Sequence, residues 1–247
     1  MITIDVNCDM GEGIENDEAL MPFITSANIA CGYHAGDETT MRSTVMMAKK
    51  AHVAIGAHPS FLDRENFGRT EIKDITPQQV YDVVIAQLTS IHKIVIECSA
   101  HLHHVKPHGA LYNMAAKDPA LSMAIAHAIY DFDKTHVLFG LSGSYLISEA
   151  KAMGIKTASE VFADRTYQDD GNLTPRTKLN ALIEDEEQAI GQVIQMIKKG
   201  TVTATSGKEV PILAETICLH GDGKNAVAFA SAINKRLIAE KITIKSM

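Results

Sequence analysis

The sequence predicts an α/β fold built on a parallel sheet. Three observations carry that prediction. Short β-branched runs alternate with longer stretches of helical spacing. The helical stretches carry their own start and stop signals. Polar residues gather at the same end of nearly every short run, where parallel α/β folds keep their sites.

The first run, ITIDVN at 2–7, alternates. Ile4 and Val6 share one face; Asp5, Asn7 and Asp9 share the other. ANIA at 27–30 is the second strand, and a helix over 38–51 follows. VAIGA at 53–57 is the third. Thr76-Pro77 then opens a helix over 77–97, since proline suits a first helical turn. LHHVK at 102–106 is the fourth strand, with His104 and Lys106 on one face. Asp118-Pro119 starts a helix over 118–132. HVLFG at 136–140 precedes a helix over 144–153, and KTASE at 156–160 precedes one over 184–199. That last helix has acids at its start and Lys198, Lys199 and Gly200 at its end, as the helix dipole and a glycine cap require. ETICL at 215–219 and a helix over 223–240 close the series. Seven strands fit a closed (β/α) barrel and an open doubly wound sheet equally well. The segments 61–75 and 161–182 break the rhythm. They are long, polar and rich in aromatics and arginines, which marks ordered functional loops.

The chain of 247 residues reads as a single domain spanning 1–247. Apolar residues make up 46% and the net charge is -7, which argues against a polyanion partner such as nucleic acid. No stretch is long enough to span a membrane, and the N-terminus is no signal peptide. Cys8, Cys31, Cys98 and Cys218 form no CxxC pair, so reduced thiols in a cytoplasmic protein are expected.

The strand ends hold the candidate site. They read Asn7-Cys8-Asp9 with Glu12, then CGYHAGD at 31–37, GAHPSF with His58, and KPHGALYN with Lys106 and His108. Next come Ser142-Gly143-Ser144, Glu160 with Asp164 and Arg165, and His220-Gly221-Asp222-Gly223. These ends should converge on one point. Carboxylates and a lysine buried together must pair, because a lone buried charge is very costly. Asp5 is expected to be a structural partner. His52, His92, His101, His127 and His136 are expected to be structural or surface residues. GKE at 207–209 and GKN at 223–225 lack the Ser/Thr and spacing of a Walker loop. HGDGKNA opens a helix, where backbone N–H groups can hold an anion.

Taken together, NCDMGEG, SANIACGYHAGD, VAIGAHPSF, NFGR, HVKPHGALYN, EVFADRTYQDDGNLTPR and CLHGD resemble the LamB/YcsF family, in order and from residue 3 to about 235. The one departure is a methionine, Met10, where leucine is more usual. The resemblance implies a seven-stranded parallel (β/α) barrel of the glycoside hydrolase/deacetylase type. It implies ATP-dependent opening of the lactam 5-oxoproline to glutamate, with ATP as co-substrate of an assembly that includes 5-oxoprolinase subunits B and C. The expected catalytic residues are Asp9 as base, His58 or His34 as acid, Lys106 as oxyanion or phosphate partner, and Glu12 beside them. Asn7, Asn28, Tyr33, Asp37, His108, Glu160, Asp164, Arg165, His220, Gly221 and Asp222 are the expected substrate contacts. A divalent metal is left open. The rival reading, a stand-alone metal-dependent amide or carbohydrate deacetylase-like hydrolase, would use Asp9, His34 and His58. It lacks an HxxxH pair, because position 38 is Glu38. A non-catalytic substrate-binding subunit is the other alternative.

Overall fold

The computed structural model describes residues 2–219, 221 and 226–247. Its centre is a closed parallel barrel of β1 (Thr3–Met10), β2 (Ser26–Ala30), β3 (Ala54–His58), β4 (Leu102–Val105), β5 (Val137–Leu141), β6 (Thr157–Phe162) and β9 (Thr216–Leu219). Pairing of β9 with β1 closes the ring, in the register Asp5↔Thr216 and Asn7↔Cys218. The barrel expectation therefore holds over the open sheet, and all seven expected strands are present.

Helices cover the outside: α2 (Glu38–Ala51), α3 (Pro77–Glu97), α5 (Pro119–Asp133), α6 (Tyr145–Ala152), α7 (Glu186–Lys199) and α8 (Ala226–Ala239). Local chemistry explains their bounds. Thr76 and Gln79 form a reciprocal capping box at the start of α3. Asp118 accepts from Ala120 and Leu121 N–H at the start of α5. Gly200 ends α7 in the left-handed region, at φ 65°. Several smaller elements were not expected: α1 (Asp17–Leu20), a 3-10 turn (Met21–Phe23), α4 (Gly109–Ala115), the antiparallel hairpin β7 (Thr201–Thr203) with β8 (Glu209–Pro211), and β10 (Thr243–Ile244) beside β1. Each is too short to show a period of its own.

The strands send their apolar faces outward. Ile4, Val6, Cys8 and Met10 of β1 belong to the same continuous core as Val80, Val84, Leu88 and Ile91 of α3. The barrel interior is polar instead. Asp5, Asn7, Ser26, Asn28, His58, His104, Lys106, Glu160 and Thr216 are all buried. His104 crosses the middle and stacks on Phe139, with ring centroids 4.2 Å apart. It fits only because β3 has a glycine opposite it. A Cβ on Gly56 would lie 2.1 Å from His104 Nε2. We expect Gly56→Ala to destabilise the fold by about 1–3 kcal/mol, the usual cost of overpacking. A urea midpoint unchanged from wild type would show that the ring has room to move.

Candidate active site

The site grows out of a hydrogen-bonded column inside the barrel. At its base, Asp5 accepts from Thr25 and Ser26 hydroxyls, both at 2.7 Å, and from the Thr216 hydroxyl. Thr216 Oγ1 accepts from Asn7 Nδ2 at 2.7 Å. Asn7 Oδ1 accepts from Asn28 Nδ2 at 2.8 Å, and Asn28 Nδ2 also donates to Asp9 Oδ1 at 2.8 Å. This leaves Asn28 Oδ1 as an acceptor, so His104 Nε2, 2.8 Å away, carries the proton. Burial holds His104 well below the ordinary imidazole range, so the ring is neutral. Desolvation outweighs three hydroxyl hydrogen bonds at Asp5 and raises its carboxyl.

Lys106 tops the column. Its Nζ lies 2.9 Å from Asp9 Oδ1, 2.8 Å from Glu160 Oε1, 3.2 Å from Asn7 Oδ1 and 3.1 Å from Cys218 Sγ. The Glu160 Oε1 contact is a close ion pair that misses hydrogen-bond angles. Glu160 Oε2 accepts from the Tyr112 hydroxyl at 2.7 Å. Burial alone would lower the lysine, but Asp9, Cys218 and Glu160 more than reverse it and hold the ammonium well above its usual range.

Beside this column stand three histidines. His58 Nε2 lies 3.2 Å from Asp9 Oδ2 and 2.8 Å from His108 Nδ1. His34 Nε2 lies 3.0 Å from Glu12 Oε1. The glycines of the flanking loops make this approach possible. A Cβ on Gly36 would sit 2.7 Å from Gly11 O, so the loops after β1 and β2 touch only as glycines, and Glu12 thereby meets His34. A Cβ on Gly109 would sit 2.4 Å from Gly68 O, so the 61–75 loop likewise lies directly on the turn after β4. Phe67, in the left-handed region at φ 56°, offers its carbonyl to His108 Nε2 at 3.0 Å. Burial, followed by the repulsion of neighbouring charges, lowers His34 to about 3 and His108 to about 2.

A cavity of about 440 Å³ opens above these groups. Asp9, Glu12, His58, Lys106 and His108 form its floor, and Arg69, Arg165 and Arg176 stand in its walls. The volume suits a small ligand. It combines carboxylates, imidazoles and cations in one concave space.

The family model described as "LamB/YcsF family" matches residues 4–247. The chain belongs to the LamB/YcsF family. It is 51% identical over 249 residues to the A subunit of 5-oxoprolinase from Brevibacillus brevis, covering 99% of this chain and 98% of that one. Its fold superimposes on the crystal structure of the lactam utilization protein from Thermus thermophilus with a TM-score of 0.92, at 35% identity and 100% coverage of both. A family 4 carbohydrate esterase from Streptomyces lividans shares the fold alone, at 10% identity, with a TM-score of 0.52 over 99% of this chain and 92% of that one.

In this LamB/YcsF chain the expected residues fall into distinct places. Asp9, Glu12, His58, Lys106, His108, Arg165 and Gly221 line the cavity. His34 stands behind Glu12 and His108, only 2% exposed, and burial lowers its imidazole to about 3. Asn7, Asn28 and Glu160 lie under the floor and hold Asp9 and Lys106. Asp37 is exposed, and its carboxylate caps α2 by accepting from Thr40 N–H at 2.8 Å. Tyr33 is half-buried outside the cavity lining, as is Asp164. Arg165 braces its own loop, donating to Thr174 O at 2.6 Å and Ala181 O at 3.3 Å. His220 and Asp222, with the HGDGKNA turn, lie outside the described residues. The end of β5 does not join the others. Ser142 and Ser144 open into a separate depression with Tyr145, Lys151 and Leu213. Sequence reasoning does not point to Tyr112, Arg69 or Arg176, nor to Cys218 as a neighbour of the lysine. Tyr112 lies within KPHGALYN, and its place on α4 is the signal that was missing.

The neutral, buried His104 predicts acid sensitivity. Its folded value is depressed, so the unfolded chain takes up the proton first as pH falls. Its contribution to stability is intact above about 6.5 and declines below, by about 1.4 kcal/mol for each pH unit. His104→Gln should flatten the fall of the urea-unfolding free energy between pH 7 and pH 5. An identical slope in both proteins would rule His104 out as a source.

Proposed function

We propose that this chain is the A subunit of an ATP-dependent 5-oxoprolinase, hydrolysing the lactam of 5-oxoproline to glutamate together with B and C subunits. The observation that carries this reading is the 51% identity, end to end, with a protein named as the A subunit of 5-oxoprolinase. The cavity supports it chemically. A lactam carbonyl is a weak electrophile, and transfer of a phosphoryl group from ATP to the amide oxygen activates it. Water then adds to the ring carbon and gives up a proton, and the ring C–N bond breaks as the nitrogen takes one up, leaving an acyl phosphate. A second water cleaves that mixed anhydride, so phosphate leaves with the former amide oxygen and the carboxylate keeps an oxygen from each water.

Asp9 is placed in this reading as the group that takes the proton from water and returns it to nitrogen. Its Oδ1 is fixed by Lys106 and Asn28, and the carboxylate borders the cavity. Lys106 and the arginines stabilise the negative charge that builds on oxygen. The phosphoryl donor is handled by the partner subunits, consistent with a chain that has no Walker loop.

Two outcomes test this. The purified chain with ATP and 5-oxoproline should release no glutamate, and addition of B and C subunits should restore release. Turnover by the chain alone would favour an independent hydrolase. Asp9→Asn keeps the shape and removes the base. Activity of the assembly should fall about 100- to 10,000-fold, with the unfolding transition and the assembly of the complex retained. Near wild-type activity in that variant would transfer the role to Glu12.

A further inference from the structure

We propose that Glu12, His34, His58 and His108 form a binding site for one divalent transition-metal ion of the zinc class. The inference goes beyond the lactam reading and does not depend on it. Each of these four residues offers one ligand atom, and the four atoms lie within 4.8 Å of one another. Donors held about 2.0–2.1 Å from a tetrahedral ion stand about 3.3 Å apart. Here Glu12 Oε1 lies 3.0 Å from His34 Nε2, 3.5 Å from His108 Nδ1 and 3.8 Å from His58 Nε2.

The surrounding hydrogen bonds decide which nitrogen of each ring faces that point. His58 Nδ1 lies 2.7 Å from the Lys106 carbonyl, which can only accept, so Nδ1 carries the proton. His108 Nε2 lies 3.0 Å from the Phe67 carbonyl and is protonated for the same reason. Ser60 Oγ donates to the Phe61 carbonyl at 3.0 Å, so it accepts from His34 Nδ1 at 2.8 Å. Each ring thus spends its proton outward and turns a lone pair inward. His58 Nε2 and His108 Nδ1 then face each other at 2.8 Å as two acceptors, with carboxylate oxygens of Asp9 and Glu12 beside them. Lone pairs packed this closely repel unless a proton or a metal ion lies between them, and a metal ion is the one that engages every donor at once. Outward hydrogen bonds of this kind are what metal-ligating histidines use to fix ring orientation and basicity.

The donor set selects the ion. Three imidazoles and one carboxylate suit Zn²⁺ or Co²⁺, whereas Mg²⁺ and Ca²⁺ prefer all-oxygen shells. The rings of His34 and His108 lie face to face, with centroids 3.9 Å apart and planes within 6°. One of them must tilt for both to bind a single ion. His34, anchored through a hydroxyl that can turn with it, is the one that moves.

The test uses the full chain, untagged, stripped with a chelator and titrated with Co²⁺ and Zn²⁺ in the absence of substrate. We expect one ion per chain by calorimetry. We also expect visible d–d bands from bound Co²⁺, and no displacement by excess Mg²⁺. His58→Gln and Glu12→Gln should abolish the bands. Ser60→Ala, which removes the partner of His34 and leaves all four ligands in place, should weaken affinity roughly 10- to 100-fold. His127→Gln, an exposed histidine away from the site, should change nothing. Thermal unfolding confirms that each variant is folded, and Glu12→Gln, on the cavity floor, keeps the test open if His58→Gln is not. Absence of binding overturns the proposal, as does binding that survives Glu12→Gln and Ser60→Ala undiminished. Because no substrate or partner subunit is present, this result is separate from success or failure of the glutamate assay.

Discussion

The structure depends on one buried cation. Lys106 sits at the top of the barrel interior, only 2% exposed, and taking an ammonium out of water costs several kcal/mol. Asp9 and Glu160 face it at 2.9 and 2.8 Å, and the Asn7 carbonyl adds a third oxygen. These partners in turn need their own. Asn28 holds Asp9, Tyr112 holds Glu160, and Thr216 holds Asn7. The chain of obligations runs down to Asp5, whose three hydroxyl partners come from β2, the residue just before it, and β9. Removing any one member leaves a buried polar group unmatched, which is worse than never having built it. The polar column therefore ties β1, β2, β4, β6 and β9 into one register as firmly as the backbone ladder does.

The same column explains how a site of this density stays in shape. Its upper groups do not rest on flexible loops. Asp9 and His58 lie at the ends of strands, and Lys106 follows β4 directly, with its N–H on the Ala57 carbonyl at 2.9 Å. The loops contribute by touching one another. Gly11 against Gly36, and Gly68 against Gly109, are backbone approaches that no side chain could share. These contacts set Glu12 against His34 and the Phe67 carbonyl against His108. The glycines of SANIACGYHAGD and its neighbours thus serve geometry first. They bring two loops close enough for ionisable side chains from each to meet.

Much of this was legible in the sequence, and the reasons are local. Alternation in β1 assigned Asp5, Asn7 and Asp9 to one face because a strand's side chains have a period of two. The bounds of α2 and α3 came out as expected, since Thr76, Pro77 and Gln79 act within a single turn. The polar strand ends pointed to the cavity for the same topological reason. What could not be read was the direction of residues beyond the last paired position. There the path is set by contacts far away in sequence. Arg165 follows a strand and lines the cavity, but its two bonds to the carbonyls of Thr174 and Ala181, up to 16 positions away, have no local signature. Asp37 shared a motif with His34, yet its side chain turned back to cap its own helix. Tyr112 reaches Glu160 across 48 positions, a pairing with no local signature.

The column also divides labour among charged groups that look alike on paper. Lys106 borders the cavity, but its proton is held by two carboxylates and an amide carbonyl, and its value is driven well above the usual range. Such a group acts as a fixed positive field and does not exchange protons near neutrality. His34 and His108 are held at the opposite extreme, too low to carry a proton there. Proton transfer is left to groups whose charge can change without emptying a buried bond. In the proposed function that part falls to Asp9, whose one oxygen is anchored to Lys106 and Asn28 while the other faces the histidine cluster at the cavity floor. The burial that stabilises the lysine thus also determines where chemistry can occur: at the boundary between a saturated polar core and the cavity above it.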